Sequence, residues 1–135
     1  MALPTLRMIG FIIGLFLLTI AASMLIPMLT LYLFNRIDDE SAFIWSAIIT
    51  ATAGLALIIP GRPKNVQLRP RDMYMLTTAS WVLVCAFAAL PMVLIQEISY
   101  TDAFFETMSG ITTTGSTILV GLDHASPGLL IWRSM

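Results

Sequence analysis

The chain of 135 residues is poor in the side chains that carry most protein chemistry. It has one cysteine, Cys85, so it can close no internal disulfide and build no all-cysteine metal site. Its one histidine, His124, has no histidine or cysteine near it in the sequence, so zinc and haem sites are not expected. No nucleophile is paired with a general base, and the sequence therefore indicates neither an enzyme nor a resident cofactor.

Charged residues are also scarce, at 11% of the chain, against about 25% in a typical soluble domain. No basic cluster with interleaved aromatic residues is present, so nucleic acid is not an expected partner. Hydrophobic residues make up 58% of the sequence. So much apolar surface has to face a lipid bilayer, and the sequence therefore predicts an integral membrane protein.

The first long apolar run covers residues 8–34 and follows Arg7. At about 1.5 Å per residue it is long enough to cross a bilayer with some tilt. Pro27 is expected to kink it near the far side. A signal peptide with a cleavage region at residues 21–23 is the alternative, although its apolar region would be only about 7–15 residues long.

A second span is expected at residues 41–59, after a polar turn at residues 35–40. The two spans would form an antiparallel hairpin. In the first span, Gly10 and Gly14 form a GxxxG pattern. This pattern either permits a close helix contact or has no special role in so apolar a helix.

Basic residues concentrate in the loop at residues 61–72, which holds Arg62, Lys64, Arg69 and Arg71. The positive-inside rule places this loop in the cytoplasm, together with the N-terminus. Recognition of a lipid or a partner is the alternative role for the loop. A third span at residues 73–95 would then return the chain to the outer side.

A short amphipathic segment at residues 101–111 follows the third span and is too short to cross a bilayer. Phe104, Phe105 and Met108 are expected to share a face that packs against the neighbouring spans. Hydroxyl residues and Gly115 come next. A short helix and turn on the outer side of a membrane protein are typical of a re-entrant pore helix and an ion filter.

Residues 112–116 would form this filter, with the backbone oxygens of Thr112, Thr113 and Thr114 facing a water-filled path. Gly115 would supply dihedral angles and a close backbone approach that a side chain prevents. Because the site needs no carboxylate, it would suit a weakly hydrated monovalent cation better than Mg²⁺ or Ca²⁺.

Two other interpretations of this stretch are a nucleotide-binding loop and a surface turn. Gly110 and Gly115 have the spacing of a P-loop, but Ser116 stands where that motif needs lysine, so nucleotide binding is not expected. A plain surface turn without an ion role is the simpler alternative.

The region from Gln96 to His124 contains no lysine or arginine. It indicates either an acidic vestibule that attracts cations or an ordinary outer loop. Its acidic residues are Glu97, Asp102, Glu106 and Asp123.

The string DAFFETMSGITTTGS, residues 102–116, resembles the Trk/Ktr potassium-uptake family in its TrkH/TrkG-type bacterial membrane subunits. Residues 130–135 are similar to the same first pore repeat. The two spans before Met73 resemble the family's N-terminal hairpin, so the resemblance covers nearly the whole chain.

The resemblance implies four covalently linked helix–pore-loop–helix repeats around one pore, which take up K⁺ across the bacterial inner membrane. It also implies a homodimer and a cytosolic nucleotide-binding regulatory subunit. Position by position, Thr112, Thr113 and Thr114 would donate carbonyl oxygens, and Gly115 would be the filter glycine of the first repeat, entered from the periplasm. A single-repeat homotetrameric cation channel and a non-conducting truncated fragment are the alternatives.

We therefore expect an all-α membrane protein, in which a transmembrane helix hairpin precedes one pore repeat whose last helix is incomplete. That incomplete helix suggests a fragment of a longer protein. The expected parts are the hairpin (1–60), the cytoplasmic basic loop (61–72) and the pore repeat (73–135), divided into outer helix (73–95), pore helix (101–111), filter (112–116) and start of the inner helix (126–135).

Overall fold

The structure, a computed structural model, describes residues 3–33, 40–60, 69–119 and 125–135. Within these ranges the regular structure is helical, and no strand occurs. The helices are α1 (Leu3–Ser23), α2 (Leu25–Leu33), α3 (Glu40–Ile58), α4 (Pro70–Ala88), α5 (Leu90–Gln96), α6 (Tyr100–Ile111) and α7 (Pro127–Ser134).

Three stretches are long and apolar enough to cross a membrane, at Pro4–Leu33, Glu40–Ile58 and Pro70–Gln96. The expected all-α membrane class is therefore confirmed. Nearly all of the polar turn before α3 and most of the basic loop, including Arg62 and Lys64, lie outside the described residues. The same holds for Asp123 and His124.

Two of the spans are each divided into two helices by a proline. The first span is interrupted at Met24, close to Pro27, which was expected to kink it. Proline has no N–H for the carbonyl four residues earlier and its ring crowds that carbonyl, so the interruption falls about one turn before it. Pro91 acts in the same way on the third span, which is interrupted at Ala89.

Two aromatic side chains donate hydrogen bonds to backbone carbonyls beside the second break. The indole Nε1 of Trp132, on α7, donates to the carbonyl of Ala88 at 3.0 Å. The hydroxyl of Tyr100, at the start of α6, donates to the carbonyl of Ala86 at 2.9 Å. These two bonds hold the start of α6 and the later part of α7 against the end of α4.

Helices α1 and α3 touch backbone to backbone. A Cβ added at Gly14 would lie 2.7 Å from the carbonyl oxygen of Gly54, and one added at Gly54 would lie 3.0 Å from that of Gly14. The GxxxG pattern therefore marks a close contact, through Gly14. The sequence analysis missed its counterpart on α3, which is a stripe of small buried residues at every fourth position: Ala42, Ser46, Thr50 and Gly54.

The hairpin also packs against the start of α7. A Cβ at Gly128 would meet the side chain of Leu31 at 2.8 Å. The rings of Phe43 and Trp132 meet edge to face, with centroids 6.3 Å apart. This contact joins the N-terminal hairpin to the part of the chain that carries the candidate site.

The short helix α6 begins at Tyr100, one residue before the expected start at residue 101. Ser99 is the N-cap and its hydroxyl accepts from the backbone N–H of Asp102 at 3.2 Å. The expected apolar face is wrong in one respect, because Phe105 is exposed whereas Phe104 packs against the core formed by α5 and α7. The buried face instead consists of small and polar residues, namely Ala103, Glu106, Thr107 and Ser109.

Substituting Gly14→Ala should destabilise the protein by about 1–3 kcal/mol, because the methyl group would overlap backbone that cannot move cheaply. Gly10→Ala is the matched control, since its Cβ would make an ordinary 3.8 Å contact with Leu57. The melting temperature of each purified variant in detergent measures the difference. Equal melting temperatures for the two variants would contradict the close contact.

Candidate ion-conducting site

Helix α6 ends in a hydrogen-bonded turn that reverses the chain. The N–H of Thr114 donates to the carbonyl of Ser109, and the N–H of Thr113 donates to the carbonyl of Gly110, each at 3.0 Å. These two bonds, six-to-one and five-to-two, form a Schellman motif. The motif satisfies two carbonyls at the helix end and turns the following backbone away from the helix axis.

Thr113 occupies the left-handed position of this motif, with φ of 55°. Glycine or asparagine is usual there, because a Cβ in this conformation costs roughly 1–2 kcal/mol. The sequence analysis missed this strain, since a β-branched residue is among the last expected to adopt it. Strain of this kind persists only where the surrounding structure holds it.

Gly115 also has a positive φ, of 74°. A Cβ added there would meet no described atom within 4 Å. Within the described residues, glycine is therefore needed for its backbone conformation, as the sequence predicted. The close backbone approach that the sequence also predicted is not seen there.

The backbone carbonyl oxygens of the loop accept no hydrogen bond within the part of the chain that the structure describes. Among the described residues, no hydrogen bond ends on the carbonyl of Thr112, Thr113, Thr114 or Gly115. The hydroxyls bond locally instead: Thr112 Oγ1 donates to the carbonyl of Met108 at 2.8 Å and lies 2.8 Å from Thr114 Oγ1. A row of unused carbonyl oxygens is what replaces the hydration shell of a cation in a filter.

The chain beyond the loop is held by the side chain of Glu106. Its Oε1 accepts from Thr117 Oγ1 and the N–H of Ile118, each at 2.6 Å, and from the N–H of Leu119 at 3.3 Å. Its Oε2 lies 3.2 Å from Nε of Arg133 on α7. We call these five residues the Glu106 clamp, which joins α6, the chain leaving the loop, and α7.

The clamp removes Glu106 from the acidic vestibule, which was one of the two interpretations of this region. Glu106 is 3% exposed and paired with a cation, so it is not part of a negative surface. All of its partners among the described residues are donors, which favours the ionised carboxylate. Glu97 and Asp102 are exposed, as a vestibule would need.

Sequence reasoning placed Glu106 wrongly because its partner lies far along the chain. One usable signal was present, since Glu106 shares a helix face with Ala103 and Thr107, and a buried carboxylate needs a partner.

Replacing Glu106 by Ala should lower the unfolding free energy by about 3–5 kcal/mol, because Arg133 would keep an unpaired, largely buried charge. Glu106→Gln should also destabilise, and adding Arg133→Gln should recover part of that loss, since neither partner then stays charged alone. Asp102→Asn on the same helix is the control and should cost at most about 1 kcal/mol. Melting temperatures of the purified variants test this, and equal losses for Glu106→Ala and Asp102→Asn would contradict it.

Comparison with known proteins finds close relatives, although no family model matches the chain. It is 44% identical to the Trk system potassium uptake protein TrkI of Halomonas elongata over 119 residues, covering 87% of this chain and 24% of that protein. It is 33% identical to the Trk system potassium uptake protein TrkH of Escherichia coli K12 over 131 residues, covering 96% of this chain and 27% of that protein.

A solved structure agrees with the fold. The crystal structure of the potassium transporter TrkH from Vibrio parahaemolyticus superposes with a TM-score of 0.86 at 30% identity, covering 98% of this chain and 28% of that one. The chain thus spans about a quarter of the length of the relatives it matches.

Proposed function

Since the chain belongs to the Trk family of membrane subunits, about a quarter of whose length it matches, we propose that it forms the first pore repeat of a K⁺ uptake protein. In this proposal Thr112, Thr113, Thr114 and Gly115 contribute one of four filter strands. The names of the relatives, which are potassium uptake proteins and a potassium transporter, support K⁺ as the ion.

One observation carries the assignment of the filter. The carbonyl oxygens of Thr112–Gly115 have no hydrogen-bond donor among the described residues, in a loop that follows a helix of 12 residues. Such a helix is about 18 Å long, too short for a hydrocarbon core of about 30 Å. Non-helical backbone at membrane depth is stable only where it is buried in protein or lines a water-filled path.

The electrostatics of the loop favour a monovalent cation. The C-terminal end of α6 carries the negative end of its dipole and leads directly into the loop. Both oxygens of Glu106 are engaged in the Glu106 clamp, so we do not expect its carboxylate to coordinate the ion. Backbone oxygens without a carboxylate suit K⁺ better than a divalent cation.

The orientation that we propose follows from charge. Arg7, Arg69 and Arg71 would lie on the cytoplasmic side of a bacterial inner membrane, and the filter loop would be entered from the periplasm. Exposed aromatic side chains at span ends suit the two interfaces, with Tyr32 and Tyr74 more than two-thirds exposed.

As part of a longer product, the repeat would act with three matching repeats, in a homodimer that binds a cytosolic nucleotide-binding regulatory subunit. The test is expression of the complete reading frame that contains these residues in a bacterium deficient in K⁺ uptake. We expect growth to be restored at low potassium. Absence of three further loops of this kind, or of rescue, would contradict the proposal.

Gly115→Ala should weaken discrimination of K⁺ from Na⁺ in the complete product. Alanine at a φ of 74° is strained by roughly 1–2 kcal/mol, and relief of that strain would displace the adjoining carbonyl oxygens. A displacement that weakens K⁺ binding by about 1.4 kcal/mol, with Na⁺ binding unchanged, lowers the ratio of K⁺ to Na⁺ affinity roughly tenfold. Uptake of K⁺ measured against rising Na⁺ reports the ratio, with Gly10→Ala as control, and an unchanged ratio for Gly115→Ala would remove the filter role.

A further inference from the structure

An open groove of about 310 Å³ lies between α6, the chain at Gly115 and Ser116, and the end of α7. Five of its eight lining residues are exposed, and Glu106 and Ser109 form its buried floor. Three of its lining residues carry hydroxyl groups and two carry opposite charges. We call it the rear chamber, lined by Glu106, Ser109, Ser116, Arg133 and Ser134 together with Gly110, Gly115 and Leu130.

Ser109 brings an unpaired hydroxyl to this chamber. Its side chain is 6% exposed, and its Oγ has no hydrogen-bond partner among the described residues. Thr107, on the same helix and 8% exposed, is satisfied because its Oγ1 donates to the carbonyl of Ala103 at 2.8 Å. A buried hydroxyl without a partner costs free energy, so native structures usually supply one, often a water molecule.

Gly110 keeps the chamber open. A Cβ added there would meet nothing within 4 Å, and its φ is not in the left-handed range. Neither space nor conformation in the described chain therefore calls for glycine, although alanine would favour the helix. A methyl group at this position would project into the chamber.

We propose that the rear chamber is a water-binding site, in which water bridges Ser109 Oγ to Arg133 and to the backbone at Gly115 and Ser116. Ordered water needs two to four polar partners, and the buried floor of this groove offers the Ser109 hydroxyl beside the ion pair of Glu106 and Arg133. The loop is then held by the Glu106 clamp on its outgoing side and by water beside Gly115. The assignment of this loop as a filter rests on the proposed function, but the hydration of the chamber does not.

Cysteine reactivity tests the water directly, because only the thiolate reacts and a thiol in dry surroundings stays protonated. In the complete product, with Cys85→Ala and any other native cysteine replaced, Ser109→Cys is treated in membranes with methyl methanethiosulfonate. Thr107→Cys is the matched control, since it is equally buried on the same helix but lies against Met92. We expect Cys at position 109 to react at least tenfold faster.

A second variant tests the location of the water. Adding Gly110→Ala to Ser109→Cys should slow the modification severalfold, because the methyl group displaces water from the chamber. Equally slow modification at positions 107 and 109, or a rate that Gly110→Ala leaves unchanged, would overturn the proposal. Loss of the filter role at Gly115 would not alter either rate, so the two proposals can fail separately.

Discussion

The carboxylate of Glu106 is the interaction on which the arrangement of the candidate site depends. It accepts hydrogen bonds from the chain leaving the loop and pairs with Arg133, so that one buried group joins α6, the loop and α7. A buried ion pair is weak evidence of added stability, because desolvation offsets much of the attraction. Its value here is geometric, since its directional bonds fix where the loop ends relative to the helix from which it starts.

The rest of the chain brings that carboxylate and its partners together. Proline breaks divide the first and third spans into shorter helices, and the indole of Trp132 donates to Ala88 beside the second break. Phe43 packs against Trp132 and Leu31 packs against Gly128, so the hairpin also positions α7. Arg133 reaches Glu106 because Trp132, its neighbour on α7, is anchored in this way.

Hydropathy and the conformational freedom of glycine predicted the features that depend on local sequence: the three spans and the positive φ of Gly115. The features that were not predicted either depend on tertiary contacts or run against local propensity. The pairing of Glu106 with Arg133 joins residues far apart in the chain, and the left-handed Thr113 runs against its own propensity. Propensity reports the unstrained preference of a residue, whereas the bonds around Ser109 and Glu106 impose the conformation actually adopted.

Backbone strain and carbonyl oxygens without a hydrogen-bond donor occur together at residues 112–115, among the residues that the structure describes. The loop is fixed upstream by the Schellman bonds to Ser109 and Gly110 and downstream by Glu106, and between these anchors its carbonyl oxygens find no donor among the described residues. In lipid each unsatisfied carbonyl would cost several kcal/mol, so such a loop is stable at membrane depth only beside water, a cation or further protein. Thr113, Thr114 and Gly115 are exposed in the described chain, so their carbonyl oxygens are open to water or to a cation. The strained conformation itself is held by the bonds on either side of the loop, at Ser109 and at Glu106, and does not depend on which of the two supplies the missing partners.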